Sequence, residues 1–422
     1  MRLLITLLSI VVPFSVCVGQ GSEKVRDPKS RFEELAARYD TLSEQYWAHT
    51  PKEGEDETKR FLEKAPMNTT VSDFLELEEQ SRGTAVGFSC LYHLVRTAGS
   101  VPDADNPATA GKVAALKVLA KHYHDYPDVD TTFLSVFYGP RVPESKMFLR
   151  NLLSATQLDY VRANAMYELA NYLASEANLL GTLQSHLAVI DREDPENAAR
   201  LKRIEKLTTS LEDVDVARNR SESLMLIEQL STGYKDELVP PRVAVRNPGL
   251  VSVKRNEIDE VLKSKRKHIV DLLPAIRFEL NHSIGKKAAP IDGKDATGKA
   301  MSLTDFNEKV VVVMFSFKGC GPCEGMYPDN RKLIEDLSGE PFVFVGVQGD
   351  ETIDTVHESL ESKTISWRVW WDGKDKRISD QWNIREWPSI FVIDQRGVIR
   401  FRDVRGKELE NAVRSLLKKH AE

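Results

Sequence analysis

The sequence is poor in cysteine: its 422 residues include four, at Cys17, Cys90, Cys320 and Cys323. A protein that relied on disulfides for its stability would carry several spaced pairs. Here only Cys320 and Cys323 lie close together in the chain. That pair is better suited to thiol exchange than to cross-linking. Cys90 falls within an apolar helical pattern and is predicted to be a small buried residue.

Long hydrophobic runs are also missing, apart from one near the N-terminus that extends from Leu3 to Val12. That run follows one arginine and precedes small residues, a pattern typical of a secretory signal peptide. We therefore expect residues 1–20 to be removed and the mature chain to be exported to the periplasm or cell envelope, with no transmembrane span. Cys17 leaves a lipoprotein open as an alternative, although the residues before it fit a lipidation box poorly.

An excess of positive charge is the third feature that the chain lacks, since its formal net charge is −6 at pH 7. The composition therefore gives no reason to expect a nucleic acid or an anionic membrane surface as a partner. The length predicts two or three domains with ample core.

Residues 31–280 show the apolar spacing of helices. Phe32, Leu35 and Tyr39, for example, recur three and four residues apart, which places them on one helical face. Polar segments that contain proline separate such stretches. We predict an all-α helical domain over residues 21–283, with a solenoid-like arrangement of helical pairs.

The end of this helical part has two further features. Glu196–Tyr234 is predicted to form one or two long helices, and the loss of its apolar register near Asp213 disfavours a coiled coil. Residues 238–250 carry three prolines and are expected to be extended. A last helical stretch, residues 256–280, then leads into a region with a different pattern.

That different pattern is centred on a pair of cysteines that follows a predicted strand. Val310–Phe317 is a run of β-branched and aromatic residues, which favours a buried strand. Cys320-Gly-Pro-Cys323 comes next and opens a predicted helix. A thiolate at a helix N-terminus faces free backbone N–H groups, which lower its pKa, so Cys320 is the predicted nucleophile and Cys323 the resolving thiol.

A zinc site is the main alternative for these two cysteines. It would require two further ligands, and the sequence contains no second C-x-x-C motif. His122 and His124 are two residues apart and would face different sides of a helix. We therefore predict no metal and no bound cofactor.

The cysteine tetrapeptide and its flanking segments resemble a known family. CGPC is the active-site tetrapeptide of thioredoxins, and the surrounding sequence is similar to the TlpA/ResA-like branch of secreted thioredoxins. The segments that carry this likeness are residues 285–290, 295–299, 302–306, 342–348, 387–394 and 395–397. The resemblance covers residues 285–422. The segments Met147–Ala155 and Asp159–Glu176 also resemble a helical pair found before TlpA-like domains in some planctomycete-type bacterial proteins.

The resemblance implies an α/β thioredoxin fold over residues 284–422, with a mixed sheet and helices on both faces. The strands are expected at residues 309–317, 342–348, 389–394 and 398–403, and the helices at 322–337, 352–362, 376–382 and 406–419. Pro388 is expected to be cis. The backbone of Trp387 is expected to offer a strand-like edge to a substrate peptide.

Three positions depart from the family pattern. The aromatic residue common before the first cysteine is Gly319, and the acids that relatives carry six residues to either side of that cysteine are Met314 and Met326. The family pattern therefore supplies no proton acceptor for Cys323. Glu324 and Lys318 are expected to form surface salt links.

The resemblance implies an exported thiol-disulfide oxidoreductase. The Gly-Pro dipeptide between the cysteines is similar to that of reducing thioredoxins, so we expect a reductant with protein disulfide substrates in the cell envelope, such as apocytochromes. A secreted reductant also needs a membrane-bound thiol electron donor. Two alternatives stay open. One is a thiol peroxidase, although Phe317 stands where peroxiredoxins carry a threonine. The other is a helical protein-binding module with a redox-gated or passive thioredoxin-like domain.

Overall fold

The structure is a computed structural model, and it describes residues 27–50, 55–98, 106–138, 141–239 and 266–421. The expected signal peptide and Cys17 lie outside the described residues. So do most of the expected break at 238–250 and the first ten residues of the stretch at 256–280. In the described ranges, no helix is both long and apolar enough to cross a membrane.

Residues 27–281 are here called the helical region, and their described parts are largely helical, as predicted. The α-helices are α1 (Pro28–Ala48), α2 (Glu57–Lys64), α3 (Pro66–Thr69), α4 (Val71–Gln80), α5 (Ala85–Thr97), α6 (Pro107–His122), α7 (Phe133–Tyr138), α8 (Pro143–Ala155), α9 (Asp159–Leu187), α10 (Ala198–Thr209), α11 (Val216–Gly233) and α12 (Ile269–Asn281). Short 3-10 helices occur at Val129–Thr132 and Pro195–Asn197. Two short strands, β1 (Leu238–Val239) and β2 (Lys267–His268), pair antiparallel just before α12.

Local sequence explains where these helices begin. Asp27, Asp56 and Asp215 each accept hydrogen bonds from backbone N–H groups of the first turn of α1, α2 and α11. Asn106 does the same for α6, which also has proline in its first turn. These residues satisfy donors that a helix start leaves without partners. The break between α10 and α11 includes Asp213, where the apolar register is lost in the sequence.

The helices of the helical region pack mainly on their neighbours in the chain. Contacts join α4 to α5, α5 to α6, α6 to α8 and α8 to α9. The long helix α9 also contacts α10, α11 and α12. Its buried alanines, such as Ala163 and Ala170, let neighbouring helices approach closely. Most of these helices share one apolar core, with Phe74, Leu91 and Leu173 fully buried in it. The end of α9 and α10 form a smaller, separate apolar cluster that includes Leu183 and Ile204.

Residues 285–421, here called the thioredoxin-like region, have the predicted α/β fold. The strands are β3 (Asp292–Lys294), β4 (Ala300–Ser302), β5 (Val310–Ser316), β6 (Phe342–Gln348), β7 (Arg368–Trp371), β8 (Ser389–Ile393) and β9 (Ile399–Arg402). The helices are α13 (Gly321–Asp336), α14 (Ile353–Glu361), α15 (Arg377–Gln381) and α16 (Gly406–Ala421). The sequence prediction missed β7 and the β3–β4 hairpin.

The main sheet has the strand order β7-β6-β5-β8-β9. Strands β5, β6 and β7 are parallel to one another, whereas β8 pairs antiparallel with both β5 and β9. This is the mixed sheet that the thioredoxin resemblance implied. Because β5 and β6 are parallel neighbours, their carboxyl ends lie at the same edge of the sheet.

The central strand β5 is buried on both faces, and its side chains alternate between two apolar cores. One core takes Val310, Val312 and Met314 and is closed by α13 and α16. The opposite core takes Val311, Val313 and Phe315, together with side chains of α15 and of the segments that flank the β3–β4 hairpin. A continuous apolar run is what a strand covered on both sides requires.

Helix α12 joins the two regions. Its residues Ile269, Leu273 and Ile276 belong to the core of the helical region. Phe278, on the same helix, packs in the thioredoxin-like core beside Trp382. The two cores therefore share an element, and the proposed domain boundary near residue 283 falls just after it.

Candidate functional site

Cys320 and Cys323 form a disulfide at the start of α13. Cys320 is the N-cap residue of the helix, and Cys323 lies in its first turn. The two side chains differ in accessibility, because Cys320 is 7% exposed and Cys323 is fully buried. An incoming disulfide can therefore reach Cys320 and not Cys323.

The backbone around this disulfide favours a thiolate on Cys320. The Cys320 carbonyl accepts hydrogen bonds from the N–H groups of Cys323 (2.9 Å) and Glu324 (3.0 Å), which close the first turn. The positive end of the α13 dipole thus lies at Cys320, where it stabilises negative charge. Pro322 fits this turn because its missing N–H would have no partner in the helix.

Gly319 has a structural reason for departing from the family pattern. Its φ is +87°, in the left-handed region that glycine adopts without strain. A Cβ added there would meet no atom within 4 Å, so the restriction on this position comes from the backbone conformation. A residue with a side chain would therefore be strained in this loop.

Glu324 and Lys318 hold the loop in different ways. Lys318 Nζ pairs with Glu358 Oε2 of α14 at 2.9 Å, and this hydrogen bond raises the pKa of Lys318. That is the predicted surface salt link. Glu324 Oε1 instead accepts a hydrogen bond from the Gly319 N–H at 2.8 Å, so the prediction of a salt link for Glu324 is wrong. A carboxylate in the first helical turn is well placed to accept from the preceding loop.

Asp350 is an acidic residue beside this loop that sequence reasoning missed. Its Oδ1 accepts a hydrogen bond from the Lys318 N–H at 2.9 Å, and the residue is only 8% exposed. Burial raises the pKa of Asp350. Asp350 follows β6, and no local signal in the sequence marks it, because it reaches the Lys318 N–H only when β6 pairs beside β5.

The two methionines at the family's acid positions form apolar packing. Met314 is fully buried, and its sulfur accepts a hydrogen bond from Asn330 Nδ2 at 3.4 Å. Met326 packs against the same core as the disulfide. The buried acid of this site is therefore Asp350, supplied from the neighbouring strand.

The peptide bond between Trp387 and Pro388 is cis, as expected. The Trp387 ring lies edge-on to Phe317, with ring centres 5.8 Å apart, and Lys376 Nζ lies 5.8 Å from its centre. The Trp387 ring thus contacts the segment between β5 and Cys320. In the part of the chain that the structure describes, neither the N–H nor the C=O of Trp387 takes part in a hydrogen bond.

Cys90 and two tryptophans of the thioredoxin-like region are buried in apolar cores. Cys90 takes no part in the Cys320–Cys323 disulfide and is fully buried in α5, as predicted. Trp370 and Trp382 are buried in the thioredoxin-like core, whereas Trp371 is partly exposed. Among the residues described, no group of three or more His, Cys, Asp or Glu side chains is arranged to hold a metal ion.

Comparisons with known proteins agree with this geometry. Residues 284–402 match the family model described as AhpC/TSA family. The thiol-disulfide oxidoreductase ResA of Bacillus thuringiensis subsp. konkukian (strain 97-27) is 26% identical over 136 residues, which are 32% of this chain and 78% of the relative. The protein of the same name from Bacillus subtilis (strain 168) is 24% identical over 106 residues, 25% of this chain and 59% of the relative.

A solved structure also overlaps the thioredoxin-like region. It is the thioredoxin domain of a thiol-disulfide oxidoreductase from Bacteroides vulgatus, 29% identical, with a TM-score of 0.31. The match covers 32% of this chain and 98% of that domain. The thioredoxin-like region is thus similar to proteins named as thiol-disulfide oxidoreductases, and its mixed sheet agrees with that similarity.

Proposed function

We propose that this protein is an exported thiol-disulfide oxidoreductase that reduces disulfides of proteins in the cell envelope. The observation that supports this most strongly is the Cys320–Cys323 disulfide at the N-terminus of α13, in which Cys320 is 7% exposed and Cys323 is fully buried. A cross-link between residues one helical turn apart closes too short a loop to stabilise the fold much. We therefore propose that this disulfide is reduced and re-formed during the reaction.

In the proposed reaction the Cys320 thiolate attacks one sulfur of a substrate disulfide. The substrate's S–S bond breaks, one substrate sulfur leaves as a thiolate, and a mixed disulfide forms on Cys320. The Cys323 thiolate then attacks the Cys320 sulfur and releases the second substrate thiolate. The substrate gains two electrons, and the protein returns to the Cys320–Cys323 disulfide.

Substrate binding is proposed at the loop of Trp387 and Pro388. The Trp387 backbone groups are available for an extended peptide, which would add to this loop as a strand adds to a sheet edge. The rings of Trp387 and Phe317 supply an apolar surface beside the disulfide. A peptide held there would present its own disulfide to Cys320.

The proposed direction is reduction, because the Gly-Pro dipeptide between the cysteines resembles that of reducing thioredoxins. Each turnover leaves the protein oxidised, so a membrane-bound thiol donor is required to restore the dithiol. Export is proposed from the N-terminal pattern of residues 1–20, and the ResA relatives support the class of reaction.

A trapping experiment tests this function directly. Cys323→Ser removes the resolving thiol, so the variant should accumulate a mixed disulfide with an oxidised protein substrate such as insulin. Cys320→Ser removes the attacking thiol and should form none. Equal trapping by the two variants, or reduction of insulin by Cys320→Ser at the wild-type rate, would contradict the proposal.

The same preparations separate the alternatives. A saturable consumption of peroxide that depends on Cys320 would favour a thiol peroxidase, although Phe317 supplies no hydroxyl beside the cysteine. A dithiol that cannot be oxidised reversibly, in a protein that still captures envelope proteins, would favour a helical binding module.

A further inference from the structure

Glu279 of α12 connects the helical region to the thioredoxin-like region. From the helical side, Asn178 Nδ2 of α9 donates to the Glu279 main-chain carbonyl (2.9 Å) and to its Oε2 (3.0 Å). From the other side, Asn383 Nδ2 donates to Glu279 Oε1 (3.0 Å), and Arg402 Nη1 donates to Oε2 (3.1 Å). One carboxylate thus binds three separate elements.

Two of these elements flank the segment that carries the cis peptide bond. Asn383 lies between α15 and β8, with φ of 51°, a conformation that asparagine tolerates better than most residues. Its Oδ1 accepts a hydrogen bond from Arg385 Nε at 2.9 Å, two residues before Trp387. The link from Glu279 therefore reaches the start of the loop.

Arg402 connects Glu279 to the other end of the same loop. It lies on β9 opposite Phe391 of β8, and its guanidinium lies 5.1 Å from the centre of the Phe391 ring. Strand β8 begins directly after Pro388. Glu279 therefore holds the loop at both ends, between Asn383 and the first residues of β8.

We propose that Glu279 is a positioning residue for substrate binding. It fixes the loop of Trp387 and Pro388 in the conformation that receives the peptide around a substrate disulfide. The helical region then takes part in the reaction, by orienting the loop, rather than acting as a spacer. This inference rests on the proposed function of the Cys320–Cys323 pair.

A second ion pair between the two regions supplies a control for Glu279. Arg200 of α10 pairs with Glu408 of α16, with Nη2 and Oε2 3.0 Å apart. Like the Glu279–Arg402 pair, it joins an arginine to a carboxylate across the two regions. Glu408 lies on α16 and makes no hydrogen bond with Asn383 or with the Arg402 side chain. Its partner Arg200 also contacts His186 Nδ1, and His186 Nε2 contacts the Arg402 main-chain carbonyl. Glu408→Gln therefore weakens the contact between the regions while leaving the hydrogen bonds of Glu279 to Asn383 and to the Arg402 side chain in place.

The test compares Glu279→Gln, Asn383→Gly and Glu408→Gln in the full-length oxidoreductase; glycine adopts the positive φ of residue 383 without strain. For insulin reduction, Glu279→Gln and Asn383→Gly should each raise KM about fivefold, the size expected when a hydrogen bond that orders a loop is lost. The double variant should be no worse than either one. Glu408→Gln should keep the wild-type KM, and all variants should keep the wild-type rate with a small aromatic disulfide that needs no peptide site.

Amide hydrogen exchange supplies a readout that does not depend on activity. Glu279→Gln should speed exchange in residues 384–391, and Glu408→Gln should not. A KM for Glu279→Gln equal to that of Glu408→Gln would overturn the inference, as would additive effects in the double variant. If Glu279→Gln fails to fold, Asn383→Gly decides by the same criteria. Failure of the proposed function would show differently, as a wild-type protein that reduces neither disulfide.

Discussion

The buried carboxylates of the helical region differ in their partners from the one beside the Cys320–Cys323 disulfide. In the helical region, Glu176 of α9 binds Lys146 Nζ (2.7 Å) and Asn219 Nδ2 (2.8 Å), and Asp130 binds Arg266 Nη1 (3.0 Å). Each joins segments that are distant in sequence, and a cation compensates its charge. In the thioredoxin-like region, Asp350 accepts a hydrogen bond from the backbone N–H of Lys318, beside the disulfide.

The carboxylates of the helical region stabilise the packing of its segments, whereas Asp350 lies beside the disulfide. A buried ion pair between helices needs both partners, because removing one leaves the other charge uncompensated. Asp350, at the carboxyl end of β6, orders the loop between β5 and Cys320. We therefore expect substitutions in the first group to change mainly stability, and substitutions around the second to change mainly the disulfide chemistry.

The largest expected effect is on activity. Cys320→Ser should lower the rate of insulin reduction to background, a loss of more than about 100-fold, because the attacking sulfur is gone. Cys90→Ala, in the core of the helical region, should keep the wild-type rate per folded molecule. Turbidity during insulin reduction measures both. Loss of activity in Cys90→Ala would contradict the expectation that substitutions in the helical core leave the disulfide chemistry unchanged.

The largest expected effect on stability lies in the helical region. Glu176→Ala leaves Lys146 and Asn219 without their acceptor in a buried setting, so the free energy of unfolding should fall by about 3 kcal/mol. Glu222 pairs with Arg150 at a more exposed site, and Glu222→Ala should cost about 0–1 kcal/mol. Urea unfolding monitored by circular dichroism measures the difference. Equal losses would mean that burial does not set the strength of these pairs.

A smaller effect is expected in the loop before Cys320. Gly319→Ala places a side chain at φ +87° and should destabilise the fold by about 1–2 kcal/mol, although the space is open. Gly321→Ala is the matched control, since its added Cβ also meets no atom within 4 Å and it lies in the first turn of α13. That control should be neutral or stabilising. The order of the two melting temperatures tests the conformational explanation.

The smallest expected effect is the pH dependence that Asp350 contributes. Burial raises the pKa of Asp350 in the folded state above its unfolded value, so the native protein binds this proton more tightly. Wild-type stability should therefore fall as pH rises from the unfolded pKa through the folded one. Asp350→Asn keeps an acceptor for the Lys318 N–H without ionising, so its stability relative to wild type should rise with pH across that interval and stay constant outside it.

Urea unfolding at several pH values measures this gain. The exposed residue Glu351 supplies the control, because Glu351→Gln should show no such pH-dependent difference. A difference between Asp350→Asn and wild type that stays constant with pH would contradict the assignment of a raised pKa to Asp350.

The fold of the thioredoxin-like region could be predicted because its central strands carry a strong local signal. Val310–Ser316 and Phe342–Gln348 are apolar runs of β-branched and aromatic residues. Strand β7 was missed because Arg368–Trp371 has only four residues and begins with an arginine. It is an edge strand of the sheet, so it lacks the long apolar run of the central strands. The three-residue strands β3 and β4 are also too short to show a period.

The cysteines of the site could be predicted from their spacing, and the cis bond from the resemblance. Asp350 could not, because it reaches the Lys318 N–H only once β6 pairs beside β5. Glu279 was missed for a similar reason. Its partners Asn178, Asn383 and Arg402 are far apart in the chain, and α12 reads as an ordinary helix of the helical region. Local sequence patterns predict helices and strands, whereas the contacts of Asp350 and Glu279 depend on how those helices and strands pack together.

The central claim, that the Cys320–Cys323 pair is a reductant, is tested most directly by its equilibrium reduction potential. The mature protein is equilibrated with a thiol buffer of known potential, and the fraction of disulfide is measured by alkylation. We predict a value near that of thioredoxin, about −270 mV. A value near about −120 mV would make the protein an oxidant and contradict the proposed direction of electron flow.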